Sequence, residues 1–342
     1  MMATTDLSQT APRPAVQRPT LPNAAQAAPV IRAKGLSKSF GNQEAVTDLN
    51  FEVPPGIIFG LIGPSGSGKT TTVRLMTGIL HPSAGSIEIV GQRPQRFSAG
   101  RRRKLGYMPQ QFVLYPDLSV WENMNFAASL YGMGFGPQRA RRLKELLAFV
   151  ELENENHKLA RQLSGGMQRR MALAATLAHD PDILFLDEPT AGIDPILRQK
   201  FWDYFRELRN RGNTIIVTTQ YVGEAAHCDL VGVMADGKLL MVETPDALRR
   251  RAFGGALVDM QMAKTLDFNA VAEIRRLPFV TGPVRILGDS SLRVVVDDVG
   301  TALPALTAWA TETGREISSV EPVDIPIDDV FVELVKGQVK RD

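Results

Sequence analysis

The chain has 342 residues, 44 % of them hydrophobic, and a formal net charge of +2. That length allows two domains with a sizeable core, and the near-neutral balance argues against a nucleic-acid partner. A single cysteine, Cys228, excludes an intramolecular disulfide and suits a reducing compartment, and no run of about 18 apolar residues is present to span a membrane.

The first thirty residues are rich in Ala, Pro, Thr and Gln and lack the apolar stretch of a secretion signal. They are expected to form a disordered tail, residues 1–30. From Ile31 the pattern becomes regular. "LNFEV" alternates Leu49, Phe51 and Val53 with polar residues, as a half-buried strand does, and "GSIEIVG" repeats this. Three apolar runs are continuous instead: "IIFGLIG" (57–63), "DILFLD" (182–187) and "TIIVTT" (214–219). Such runs suit parallel strands covered on both faces. Between the last two lies "DPILRQKFWDYFRELRNRG", with Leu197, Phe201, Phe205 and Leu208 on one helical stripe and a stop at Gly212. Asp236-Gly237 between "VGVMA" and "KLLMV" signals a hairpin. The fold expected over 31–253 is therefore α/β. A second region, 254–342, reads as a small α+β domain: strands "ALVDMQM", "VRIL" and "SLRVVVD", helices "FNAVAEIRRL", "TALPALTAWATETG" and "IDDVFVELVKG", and no chemical motif of its own.

"GPSGSGKTTT" follows the strand "IIFGLI" and precedes a helical run. Gly63, Gly68, Lys69 and Thr70 complete the G-x-x-x-x-G-K-[ST] spacing of a phosphate loop. Glycines let successive backbone N–H groups point at phosphate oxygens, and the helix N-terminus adds its positive dipole end. Lys69 is suited to the β- and γ-phosphates and the Thr70 hydroxyl to Mg²⁺. In "ILFLDEPT" an apolar strand runs into Asp187 and Glu188. Asp187 suits the Mg²⁺ shell and Glu188 is placed to polarise an attacking water. Carboxyl ends of strands are where open α/β sheets bind ligands.

"LSGGMQRR" (163–170) narrows the class. With it, the chain resembles the nucleotide-binding subunits of ATP-binding-cassette (ABC) transporters, from residue 31 to about 250 and more weakly beyond. The resemblance implies a P-loop NTPase cassette whose helical subdomain spans about 112–178. It implies that Gly63, Pro64, Ser65, Gly66, Ser67, Gly68, Lys69, Thr70 and Thr71 bind ATP. It also implies that Phe40 stacks on adenine and that Gln110, with Gln111 as rival, serves the Q-loop and the Mg²⁺ shell with Thr70 and Asp187. Leu163, Ser164, Gly165, Gly166 and Gln168 would be the signature, which in this family contacts the γ-phosphate held by a second subunit. One phosphate loop and one signature then call for a second cassette, identical or not. Ser164 is also a natural N-cap, as is D-loop Asp194, which precedes Pro195.

The resemblance further implies a separate membrane permease, no nucleic-acid partner, and a place on the cytoplasmic face of the membrane. "TTQYVGEAAHCD", "VETPDALRR" and "VEPVDIPIDDVFVELVKG" resemble the drug- and lipid-exporting, antibiotic-resistance (ABC-2 type) branch, with Ile327 where Leu is usual. A soluble ABC ATPase of translation or DNA repair, and an importer subunit, are the alternatives.

One position departs from the family. The strand "NTIIVTTQ" ends in Gln220, where a histidine that contacts the γ-phosphate is usual. The histidine role could have moved to His227, been lost, or passed to Gln220. If the segment were helical, His227 would lie about 10 Å further on. Lys69, Thr70, Asp187 and Glu188 are all in place, which favours a working glutamine. Its amide offers two donors and an acceptor but no pH-dependent charge.

Overall fold

The computed structural model describes residues 28–111, 114–266, 268–323 and 328–331. Residues 1–27 of the tail expected over 1–30, Ile327, and most of the last predicted helix lie outside them. Val30, expected in the tail, already belongs to the fold: its amide donates to the Val53 carbonyl at 2.8 Å.

Strands β1 (Ile31–Phe40) and β2 (Gln43–Val53) pair antiparallel and enclose Leu36, Leu49 and Val53 on one face. β3 (Ile58–Ile62) is wholly buried and runs into the glycine-rich turn before α1 (Lys69–Met76). β4 (Ala84–Ile89) returns to pair with β1, giving a three-stranded sheet β2-β1-β4. The short α2 (Ala99–Arg102) leads to β5 (Leu105–Met108).

A helical layer follows. α3 (Val120–Leu130) opens on a reciprocal cap between Ser119 and Glu122, and α4 (Pro137–Phe149) opens on its proline. α5 (Gly165–Leu177) is capped by Ser164 and buries Met171, Leu173 and Leu177.

β6 (Ile183–Asp187) and β7 (Thr214–Thr219) are fully buried and flank α6 (Pro195–Asn210) in sequence. The expected α6 stripe is buried, and Trp202 joins it. Each such side chain contributes about 1.5–3 kcal/mol by leaving water. After β7 a 3-10 helix (Val222–His227) replaces the α-helix considered for this stretch. β8 (Leu230–Ala235) and β9 (Lys238–Glu243) form the expected hairpin, with Asp236 and Gly237 at positive φ. α7 (Pro245–Phe253) ends at Gly254, φ +78°.

The central sheet runs β5-β6-β7-β3-β8-β9, parallel except for β9. Its register positions the chemistry: Thr219 stands opposite Ile62, and Thr218 opposite Asp187. The carboxyl ends of β3, β6 and β7 thus share one edge.

The remaining chain builds a four-stranded antiparallel sheet, β11-β12-β10-β13, from β10 (Ala256–Met262), α8 (Phe268–Ile274), β11 (Val280–Gly288), β12 (Ser291–Val296), α9 (Val299–Glu312) and β13 (Ile317–Pro322). Val258, Leu292, Val294 and Leu306 are in its own core. Residues 328–331 return to the central sheet, where Val330 is 1 % exposed beside Ala225, Val233 and Leu248.

Candidate functional site

The turn between β3 and α1 is held open by two glycines that nothing else can replace. A Cβ on Gly63 would lie 2.1 Å from the Met234 carbonyl oxygen. One on Gly68, at φ +97°, would lie 2.6 Å from that of Ala45. Lys69 is 4 % exposed, and its Nζ donates to the carbonyls of Gly63 and Pro64, each at 2.8 Å. Burial lowers its pKa, while the carboxylates of Glu188 and Asp187 oppose that. An ammonium so placed gains from any further negative charge. The Ser67 hydroxyl is also buried and without a hydrogen-bond partner among the described residues.

Opposite this turn, Asp187 ends β6 with no exposure. Its Oδ1 accepts from Thr70 Oγ1 at 3.1 Å and, more closely, from Thr218 Oγ1. Its Oδ2 is buried without a hydrogen-bond partner among the described residues. A carboxylate oxygen left so beside a threonine hydroxyl fits a hard divalent cation, which prefers oxygen ligands. Glu188 follows at φ +52°, a strained conformation for a non-glycine residue. Thr218 holds it there: the Glu188 amide donates to the Thr218 carbonyl at 3.0 Å and hydroxyl at 3.1 Å. Thr218, which bonds both acidic residues, was not singled out in the sequence. Its one signal was a threonine inside a continuous apolar strand.

Lys69, Thr70, Thr71, Ser65, Gly66, Gly68, Gln110 and Glu188 line one cleft of about 380 Å³, closed on another side by Glu44 and Asp236. Gln110 lines this cleft and Gln111 does not. A larger cavity, about 480 Å³, lies away from these residues at the amino ends of β6 and β7, against Ile183, Thr214 and Phe97.

Other expected residues stand outside the cleft lining. Phe40 ends β1 half-exposed, with Lys38 Nζ 5.2 Å from its ring centre. Leu163 is buried, and Gln168 donates to the Ala160 and Leu163 carbonyls, which fixes the entry to α5. Ser164 accepts from the Met167 amide at 3.3 Å. A Cβ at Gly165 would meet open space, so nothing in the chain's own packing demands that glycine. Asp194 caps α6 by accepting from the Leu197 amide at 3.0 Å. Arg169, also missed, donates from α5 to the Gln110 carbonyl at 2.8 Å and to that of Ala191 at 3.1 Å.

Gln220 is exposed at the end of β7, on the edge shared with Gly63 and Asp187. His227 faces elsewhere. Its ring stacks on Trp202 with centres 4.9 Å apart, and its Nδ1 is 3.1 Å from Arg206 Nη1. Burial first, and Arg206 second, push its pKa down to about 4, against the pull of Asp203. That places relocation to His227 at odds with the structure: the ring is neutral and engaged on α6. Neighbouring Cys228 is buried, which raises its thiol pKa and keeps it from thiolate chemistry.

A glycine-rich strand-to-helix cradle, a buried acidic strand end beside it, and a parallel sheet that aligns the two define a P-loop nucleotide-binding protein. Residues 46–191 match the family described as ABC transporter. The chain is 34 % identical to the daunorubicin resistance ATP-binding protein DrrA3 of Streptomyces coeruleorubidus, over 89 % of this chain and 95 % of that protein. It is 39 % identical to the Nod factor export ATP-binding protein I of Burkholderia lata, over 67 % of this chain and 76 % of that one. It is 40 % identical to the probable multidrug ABC transporter ATP-binding protein YbhF of Escherichia coli over 65 % of this chain, a match that spans only 38 % of that longer relative. Among solved structures, a dimeric bacterial ABC transporter cassette superposes with TM-score 0.59 at 30 % identity, covering 63 % of this chain and 98 % of that one. A dimeric cassette bound to ADP and Pi superposes with TM-score 0.58 at 28 % identity, over the same shares. The chain belongs to the ABC transporter family, among its ATP-binding proteins.

Proposed function

We propose that this chain is the ATP-hydrolysing subunit of an ABC exporter. The observation that carries this is the meeting of Lys69, Thr70 and Glu188 around one cleft, with Asp187 bonded to Thr70 beneath that lining and its Oδ2 buried and unpartnered among the described residues. ATP would lie along the 63–71 turn, its phosphates facing backbone amides, the Lys69 ammonium and the α1 N-terminus. Thr70, Asp187 and Gln110 would hold Mg²⁺, which would neutralise charge developing on the transferred phosphoryl group. Phe40 would carry the adenine. Glu188 would accept the proton of the attacking water, and Gln220 would hold that water or a γ-phosphate oxygen through its amide.

The signature and D-loop would act across to the nucleotide of a second cassette. The open space around Gly165 supports this, since two glycines in a first helical turn cost roughly 1 kcal/mol each relative to alanine. Among the described residues no helix is long and apolar enough to cross a membrane, and likeness to ABC transporter ATP-binding proteins supports a separate permease and a peripheral position at the cytoplasmic face. Relatives with multidrug, Nod factor and daunorubicin in their names support export of a hydrophobic small molecule. Residues 31–253 would form the catalytic domain and 254–342 an accessory one.

Phosphate release from ATP tests this reading. The wild-type chain should turn over ATP only with Mg²⁺ present, and Lys69→Ala should abolish turnover by weakening nucleotide binding. Turnover that persists in Lys69→Ala at the wild-type level would reject it.

A further inference from the structure

Behind Gln220 a buried carboxylate reaches across to the turn that follows Glu188. Glu224, in the 3-10 helix, is 4 % exposed, and Thr190 is fully buried. Thr190 Oγ1 donates to Glu224 Oε1 at 2.6 Å. Arg198 supplies the countercharge, its Nε 3.8 Å from the same oxygen. The same guanidinium donates from Nη2 to the Ile193 carbonyl at 3.1 Å and lies 5.1 Å from the centre of the Tyr221 ring. One polar cluster thus joins the residue after Gln220 to the residue before Asp194.

The chemistry of the cluster is costly, so its presence asks for a reason. A buried carboxylate loses hydration that only pairing can restore. Glu224 Oε2 has no hydrogen-bond partner among the described residues, so Thr190 and Arg198 must supply the compensation. Packing alone would be served better here by an apolar side chain, since Val222 and Ala225 on the same 3-10 helix pack into the core. Hydrogen-bond and salt-bridge networks of this kind carry energetic coupling between the elements they join.

We propose that Glu224, Thr190 and Arg198 are positioning residues that couple the 190–194 turn to the strand end carrying Gln220. A second cassette pressing on that turn would shift Thr190 and Ile193, and the shift would reach Tyr221 and Gln220 through Glu224 and Arg198. The functional consequence rests on the ATPase reading above, but the coupling can be read without turnover.

The test is hydrogen–deuterium exchange on the full chain. Thr190→Val should speed exchange at least about fivefold at 221–228, and Glu224→Gln should do so at 190–194, with the β12 amides unchanged. Exchange altered only around the substituted residue, or raised everywhere, would overturn the coupling. Arg198→Gln, at a partly exposed side chain, should lower kcat about fivefold with KM unchanged. The Thr190→Val/Glu224→Gln double variant should be no slower than the worse single variant. Additive losses, or an unchanged kcat in Arg198→Gln, would also overturn the proposal. A wild-type chain without ATP turnover would sink the functional reading, while the exchange measurement would still decide the coupling.

Discussion

At the scale of single residues, Gln220 carries the departure from the family and His227 the decoy. Gln220 was legible as a strand end, because a continuous apolar run stops there. The fate of His227 was not, because it depends on Trp202 and Arg206 on a separate helix. Replacing Gln220 by Ala should cut kcat on the order of 10²-fold, the range seen when one transition-state donor is removed, with KM for ATP nearly unchanged. Steady-state kinetics would check this, and an unchanged kcat would remove Gln220 from the site. His227→Asn should leave kcat within about twofold but alter acid stability. Because the folded pKa, about 4, lies below the ordinary value of 6.5, the neutral ring is favoured by folding. Its contribution is full above about pH 6.5 and is lost as pH falls toward 4. The variant should therefore show a shallower loss of stability across that window in thermal melts at several pH values.

At the scale of elements, two positions have a structural role on view and an expected chemical one to be tested. Asp194 is both the N-cap of α6 and the expected D-loop residue, and two substitutions separate the roles. Asp194→Ala should cost about 1 kcal/mol of stability, whereas Asp194→Asn keeps the cap. If the carboxylate also acts in the D-loop, Asp194→Asn should lower turnover while its melting temperature stays near wild type. Normal turnover in Asp194→Asn would leave capping as its role. Gly68→Ala would force a Cβ against the Ala45 carbonyl, so ATP binding should be lost with little change in the central sheet, as titration with a fluorescent nucleotide would show. Motif, strand and cap could be read here because each depends on neighbours within a few residues. Arg169 and Thr218 could not, because their partners lie on other elements.

At the scale of the whole molecule, β2–β4 and β6–β12 were visible as alternating or continuous apolar patterns, β1, β5 and β13 were not, and neither was the split into three sheets among the described residues. Long-range pairing, such as β1 with β4 or β3 with β7, decides it. The return of residues 328–331 to the catalytic half was equally hidden. Val330 packs against Ala225, behind Gln220, and a Cβ on Gly223 would lie 3.2 Å from Asp328 Oδ2. Val330→Asp would bury an unpaired charge and should cost on the order of 3 kcal/mol, measured by denaturant unfolding. In the assembly, two chains should close around ATP, with Glu188 as the base that reopens them. Sizing of Glu188→Gln by light scattering, with and without Mg-ATP, tests this most directly. A dimer should persist only with ATP and turn over negligibly. A variant that stays monomeric with ATP, or hydrolyses it at the wild-type rate, would contradict it.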